Sequence, residues 1–413
     1  MRFFMSSWRK NLLSWVNGSE SPWLPPRWWR GTAAERDVWA LRREARQLMW
    51  PDRVTRLGRA KILTQALAWP VWAGIKSVRH VREFARTRYA GRSRLAVWWD
   101  SYWLQIAYNI RLEDQLDVCL NLPENRREVR GFMVCREQQV LVRRSRRGQQ
   151  DFTRLGYKQE FARFCEAQGL PAPAVVCEGM GREITRMRDW PARDLIFKPA
   201  DLSEGLGIMK LTHDPEAGVW RTRDAVCITP ETVAEWACRL MGREGAWLVQ
   251  PFMRNDPSWA RFTPGCLATC RVVTGRLLPE GEPFFLGAFA RFAFDNDAVD
   301  NISAGGLGMG LDLRDGRMMA GTIWSGAGGH YDYHPRTGVR ITGEVLPGWA
   351  EIAALGLRAH RAAGSWATMG WDIAYTEEGA MLIEANPQWS VLFHVPASQT
   401  RLCEVLRAAE RYR

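Results

Sequence analysis

The chain has 413 residues, 46% of them hydrophobic and 25% charged, with a net charge of +12. That length allows two or three domains around a sizeable core, and the composition is ordinary for a soluble protein, so neither points to an unusual class. The charge is unevenly placed: residues 1–100 hold 20 Lys and Arg against 7 Asp and Glu, which excludes a general solubility trait and assigns the basic character to one N-terminal region.

Residues 1–110 read as helical, rich in Arg and Trp, and interrupted by Pro25, Pro26 and Pro51. The opening MRFFMSSWRKNLLSWVNG breaks its apolar run with Ser, Arg and Lys, which makes a poor export signal. Glu35–Met49 and Ser77–Tyr89 carry charge at helical spacing, while Ile62–Ile75 is apolar nearly all round. That run is too short to cross a bilayer and contains Gln65 and Pro70. Basic residues interleaved with Trp suit three uses: binding nucleic acid, lying in an anionic membrane interface, or covering an enzyme body as a helical appendage. No nucleic-acid motif is present, and the appendage reading weighs most. Trp98, Trp99, Tyr102 and Trp103 are expected to pack as core. The basic run Arg143, Arg144, Arg146, Arg147 reads as a solvated face or loop.

Regular alternation begins after Gly156. Lys158–Gln168 reads as a helix stopped by Gly169, with Pro171 and Pro173 leading into a strand at Ala174–Cys177. The next strand, Asp194–Lys198, is followed by DLSEGLGIMKL, a glycine-bearing turn that returns into a strand. Gly205 and Gly207 permit tight backbone geometry and leave N–H groups free for phosphate oxygens, which Lys198 can reach as a point charge; by itself such a glycine hairpin is more often structural. A P-loop is excluded, because its spacing is absent and no helix follows directly. Trp247–Phe252 is an apolar strand closed by Gln250 and Pro251.

Leu267–Thr274 and Phe284–Phe294 are strand-like, each with one Arg in an apolar context, Arg271 and Arg291. A lone Arg there is paired on a sheet surface, or two on neighbouring strands stabilise a transferring phosphoryl group. Asn301 lies in the polar turn DNISAGG and suits a phosphate oxygen or a metal-bound water. His330 and His334, in GHYDYHP, are candidates for an acceptor pocket, with ordinary hydrogen bonding as the blander reading. Nine Cys, an odd number, read as reduced thiols of a cytoplasmic protein; Cys266 and Cys270 have no second pair nearby, which argues against zinc. Gly343–Ala363 supplies a helix, and a short one is expected near Leu402–Tyr412.

Between these helices lies MGWDIAYTEEGAMLIEANPQWS. Gly370–Thr376 and Ala380–Asn386 read as a hairpin around a three-residue loop, Glu377-Glu378-Gly379, with Gly379 in the left-handed position. Counting outward from Thr376 opposite Ala380 puts Asp372 opposite Glu384, with Asn386 on the same face as Glu384. Two facing carboxylates repel unless a divalent cation sits between them, and an all-oxygen set with a carboxamide favours Mg²⁺ or Mn²⁺. The bland alternative is an exposed hairpin with solvated acids.

Taken in order, Lys158 before GLPAP, Lys198-Pro199 before SEGLG, LVQPF, CRVVTG, DNISAGG and WDIAYTEEGAMLIEANP make residues 155–390 resemble an ATP-grasp enzyme, closest to the sugar-transfer-associated group, with glutamate-ligase-like features. The resemblance implies an α+β fold in which two subdomains clasp ATP: residues 111–250 with the phosphate-covering turn and 251–413 with the metal site, preceded by the basic helical region 1–110. It implies that Lys158 and Lys198 contact phosphates, that Ser203, Glu204, Gly205 and Gly207 cover them, and that the backbone of Gln250, Pro251 and Phe252 meets adenine. Asp372, Glu384 and Asn386 would carry Mg²⁺, with Arg271, Arg291 and Asn301 near the transferred phosphoryl. The relatives' acidic ribose ligand has only Asp256 as a late counterpart, and that contact stays open.

The implied activity is ATP- and Mg²⁺-dependent ligation of a small-molecule carboxylate to an amine through an acyl phosphate, in polysaccharide or other conjugate biosynthesis. Two alternatives keep the ATP site: a kinase acting on a hydroxyl, and a catalytically degenerate nucleotide-binding protein recruited to membrane. The expected setting is cytoplasmic, with peripheral contact to anionic membrane through residues 1–100 and no specific nucleic acid.

Overall fold

The structure, a computed structural model, describes residues 32–49, 55–84, 91–112, isolated positions between 115 and 140, 153–200, 207–294 without 264, 306–323, 331–387 without 365, and 389. Arg143–Arg147, Ser203, Glu204, Gly205, Asn301, His330 and the helix expected near 402–412 lie outside them. The chain divides into two compact units, one of Met1–Arg147, Thr322–His330 and Ser390–Arg413, the other of Gly148–Gly321 and Tyr331–Trp389.

In the first unit, α1 (Ala33–Met49) opens with a reciprocal cap: Glu35 N–H donates to Thr32 Oγ1 at 3.2 Å and Thr32 N–H to Glu35 Oε2 at 2.6 Å. The helix α2 (Arg56–Phe84) runs through Pro70, and α3 (Arg94–Tyr108) is capped by Ser93 and ends at left-handed Asn109. The two pack together through polar contacts. Gln105 Nε2 donates to Ser77 Oγ at 2.9 Å, and Trp98 Nε1 to the Gly74 carbonyl at 3.1 Å. The aromatic cluster expected as core is not core: Trp98 and Tyr102 are half-buried against Gly74, while Trp99 and Trp103 are 53% and 46% exposed. The buried side of α3 is Val97, Asp100, Ser101, Leu104, Gln105 and Ala107, so helical phase carries Trp99 and Trp103 to the opposite side.

The second unit holds two antiparallel sheets. Its first sheet has seven strands among the described residues: β1 (Cys177–Met180), β2 (Glu183–Met187), β3 (Leu195–Pro199), β4 (Met209–Asp214), β5 (Val219–Arg221), β6 (Cys227–Ile228) and β7 (Ala246–Pro251), in the order β2-β1-β7-β3-β4-β5-β6. Ala174–Val176, read as strand, instead approaches β1 as irregular chain, with Val176 N–H donating to Val249 O. Alternation then sorts the faces. Leu195, Phe197, Trp247 and Val249 pack in one core with Val233, Trp236 and Ala237. Lys198 and Gln250 take the other face.

Two short helices, α4 (Thr153–Gly156) and α5 (Lys158–Ala167), precede this sheet, and α6 (Val233–Met241) and α7 (Pro257–Ala260) follow its later strands. In the second sheet, β8 (Thr269–Gly275), β9 (Phe284–Phe292), β10 (Leu307–Gly310), β11 (Thr368–Thr376) and β12 (Gly379–Asn386) lie in the order β10-β9-β8-β11-β12. The helix α8 (Trp349–Ala362) begins later than the Gly343 start read from sequence, because left-handed Gly348 precedes it. It covers one face: a Cβ on Gly356 would stand 3.0 Å from Val272 Cγ1 and 3.7 Å from Ile373 Cδ1. By alternation Arg271 and Asp372 point away from that helix.

Candidate functional site

The hairpin β11–β12 turns more tightly than its sequence implies. Thr376 pairs with Gly379 across a two-residue loop, and Gly379 has φ +92. Counting inward, Ile373 pairs with Leu382 and Asp372 with Glu384, so Ile383 is the extra residue of a bulge. Bulge and shorter loop offset each other. The outcome is the facing pair Asp372 and Glu384, with Gly370 opposite Asn386.

The row continues across the sheet, because Asp372 also pairs with Arg271 on β8 and Thr269 pairs with Arg291 on β9. Arg271 grips the buried Asp372 carboxylate with Nε at 2.6 Å and Nη2 at 2.7 Å; Arg291 Nη2 reaches Oδ2 at 2.8 Å and Asn386 Nδ2 donates to it at 3.1 Å. Burial alone would raise the Asp372 pKa, but the two guanidinium groups hold it below the ordinary carboxylate range. Glu384 goes the other way. Burial and then the Asp372 charge raise its pKa, against Arg271, Lys158 and Arg291.

Lys198 arrives from the first sheet. Its Nζ donates to Gln250 Oε1 at 3.0 Å, and Gln250 Nε2 donates to Pro173 O at 2.8 Å, so that buried amide is fully oriented. Burial, and then the like charge of Lys158, pull the Lys198 amine down to about 8, with Glu384 opposing. Lys158 stands at the start of α5, which Gln159 ties to β7 through the Trp247 carbonyl at 3.1 Å. Four cationic side chains, Lys158, Lys198, Arg271 and Arg291, therefore share one field with two carboxylates. The excess positive charge suits a polyphosphate.

Residues 141–411, well over half of the chain, match the family described as sugar-transfer associated ATP-grasp. The chain belongs to that family. Among solved structures, this ATP-grasp chain is similar to a RimK domain ATP-grasp protein from Sphaerobacter thermophilus, at 14% identity over 62% of this chain and 67% of that one, with a TM-score of 0.30. It is also similar to a biotin carboxylase from Campylobacter jejuni, at 10% identity over 63% of this chain and 47% of that one, TM-score 0.35, so it spans about half of that protein. A D-alanine–D-alanine ligase from Bacillus anthracis is similar at 13% identity over 61% and 65%, TM-score 0.31. Comparison with curated proteins finds no match.

The remaining positions sort by what their atoms already do. Pro251 has no N–H and Phe252 N–H donates to Asp194 O at 2.9 Å, so neither of these two positions offers an open backbone donor. Asp256 caps α7, accepting from Ser258 N–H at 2.9 Å, which accounts for it without a ribose. Gly207 is described with φ +72, beside the turn residues that are not. His334 is buried with both ring nitrogens engaged, by Ala293 O at 3.0 Å and Thr337 N–H at 3.3 Å, and burial lowers its pKa; this is ordinary hydrogen bonding.

For a cation, the donor set is mixed. Asp372 is filled by its two arginines and Asn386 Nδ2, whereas the Glu384 carboxylate has no hydrogen bond or ion pair among the described residues. No cluster of three His, Cys, Asp or Glu able to hold a metal occurs among them. Glu384 and the Asn386 amide oxygen thus fit Mg²⁺ if phosphate oxygens complete the shell, as is usual for that ion.

Sequence reasoning missed Thr269, Gly370 and the side-chain role of Gln250. Thr269 Oγ1 accepts from Arg291 Nε at 2.9 Å and also from Nη2. Its signal was available: it lies two residues before Arg271 on the same strand face.

Proposed function

We propose that the chain is an ATP- and Mg²⁺-dependent carboxylate-amine ligase acting in polysaccharide or other conjugate biosynthesis. The observation that carries this reading is the meeting of Lys158, Lys198, Arg271 and Arg291 with Asp372 and Glu384. Lys158 and Lys198 hold the phosphates, the linker from Gln250 to Phe252 lies beside the base, and Arg271 and Arg291 face the transferred group. Glu384 and Asn386 hold Mg²⁺, which when bound supplies charge neutralisation between phosphate oxygens.

A carboxylate is a poor acyl donor because oxide would have to leave. Attack of its oxygen on the γ-phosphorus releases ADP and gives an acyl phosphate; an amine then attacks the acyl carbon, phosphate departs and the amine loses a proton. Both reactants in the first step are anionic, so the four cationic side chains lower the barrier where charge crowds.

The test is incubation with ATP, Mg²⁺ and pooled amino acids and sugar acids in hydroxylamine. Substrate-dependent ADP release together with a hydroxamate is the expected result; phosphorylated alcohol without hydroxamate would replace the ligase with a kinase.

A further inference from the structure

One side of the α2–α3 hairpin is apolar and uncovered. On α2, Leu63, Leu67, Val71, Ile75 and Val78 recur at helical spacing and are 41–74% exposed. On α3, Leu95, Trp99 and Trp103 recur at helical spacing and are 46–75% exposed, and the two indoles stack with centroids 6.1 Å apart. The opposite side of α2, with Gln65, Trp69, Ala73, Ser77 and His80, is buried. Both stripes face the same way. Gly74 meets Trp98 and Tyr102 on the flank of each helix, and from that shared contact the antiparallel phases carry both stripes to one side.

The composition around this face indicates its occupant. The helix α2 has six Lys and Arg against one Glu, and exposed Arg56 and Arg82 stand near the ends of its stripe while exposed Arg94 adjoins Leu95. A second copy would bring the same positive charge against itself, whereas an anionic lipid surface complements it. Large aromatic and aliphatic side chains with flanking Arg are the composition of helices that lie in the headgroup boundary. No helix among the described residues is long and apolar enough to cross a membrane.

We propose that this face of the α2–α3 hairpin seats the protein in the interface of an anionic membrane, with Leu67, Val71, Trp99 and Trp103 entering the acyl boundary. The proposal does not depend on the ligase reading. Because the stripe is uncharged, the neutral double variant Leu67→Gln, Val71→Gln separates apolar insertion from attraction of the basic residues. The experiment is flotation of the full chain with vesicles of phosphatidylcholine containing about one-third phosphatidylglycerol, and of phosphatidylcholine alone. Wild type should float with the anionic vesicles and far less with the neutral ones. The double variant, with an unchanged circular dichroism spectrum, should lose about tenfold in partitioning. Trp99→Ser should lose partitioning in the same direction, which keeps the test open should the double variant misfold. Equal flotation of wild type and variants, or no flotation of wild type, overturns the proposal. So does a dimer seen by light scattering that the double variant dissolves while vesicle binding is unchanged.

Discussion

The carboxylate of Asp372 accepts from two guanidinium groups and a carboxamide at once. A buried charge satisfied this fully is a fixed strut, and what it fixes is the direction of Arg271 and Arg291. Thr269 does the same from the other side of Arg291. Thr269→Val removes that acceptor and leaves the guanidinium less oriented. Under the proposed chemistry turnover should fall roughly tenfold with a smaller change in KM, and Thr269→Ser should restore it; steady-state ADP release reads both. Lys198 yields a pH prediction whose sign follows from its lowered pKa. With the amine near 8 in the free protein, bound phosphate raises it, so nucleotide binding should take up protons at pH above that value and affinity should weaken as pH rises through it. Calorimetry in two buffers of different ionisation enthalpy measures the uptake, and Lys198→Gln should abolish it.

At the scale of the element, the β11–β12 hairpin shows what alternation can and cannot reveal. Asp372 opposite Glu384 was legible because side chains on a strand repeat every two residues. The route to it was not: a two-residue loop and a bulge at Ile383 together give the register that a three-residue loop alone would give. Gly370, opposite Asn386, is needed for close packing. A Cβ there would stand 2.8 Å from Trp389 Cβ and 3.3 Å from the Asn386 carbonyl. Gly370→Ala should therefore destabilise the protein by about 1–3 kcal/mol, seen as a lower midpoint in urea, and weaken ATP binding with it. The same limit explains α3. Its Trp-rich run has the apolarity of a core helix, and only the phase set by Gln105, Ser101 and Leu104 reveals that Trp99 and Trp103 are left outside.

Across the whole molecule, β3, β4, β7, β8, β9 and the β11–β12 hairpin could be read from sequence, since each arises from short-range alternation around Gly and Pro, whereas β2 could not, and the short strands β5, β6 and β10 carry too few residues to show a period. What could not be read are long-range contacts with no local signature. Gln250 bridging Lys198 to Pro173, and Phe252 N–H turned to Asp194, depend on strands β3 and β7 pairing across an intervening stretch of some fifty residues. The central claim is that a divalent cation and the nucleotide phosphates meet between Glu384 and the two lysines. Calorimetric titration of ATP, with and without Mg²⁺, into wild type, Glu384→Ala and Lys198→Ala tests it most directly. The account predicts that Mg²⁺ tightens ATP binding in wild type, that Glu384→Ala loses this gain while still binding ATP, and that Lys198→Ala weakens binding in both conditions. A Glu384→Ala protein that keeps the full Mg²⁺-dependent gain would contradict it.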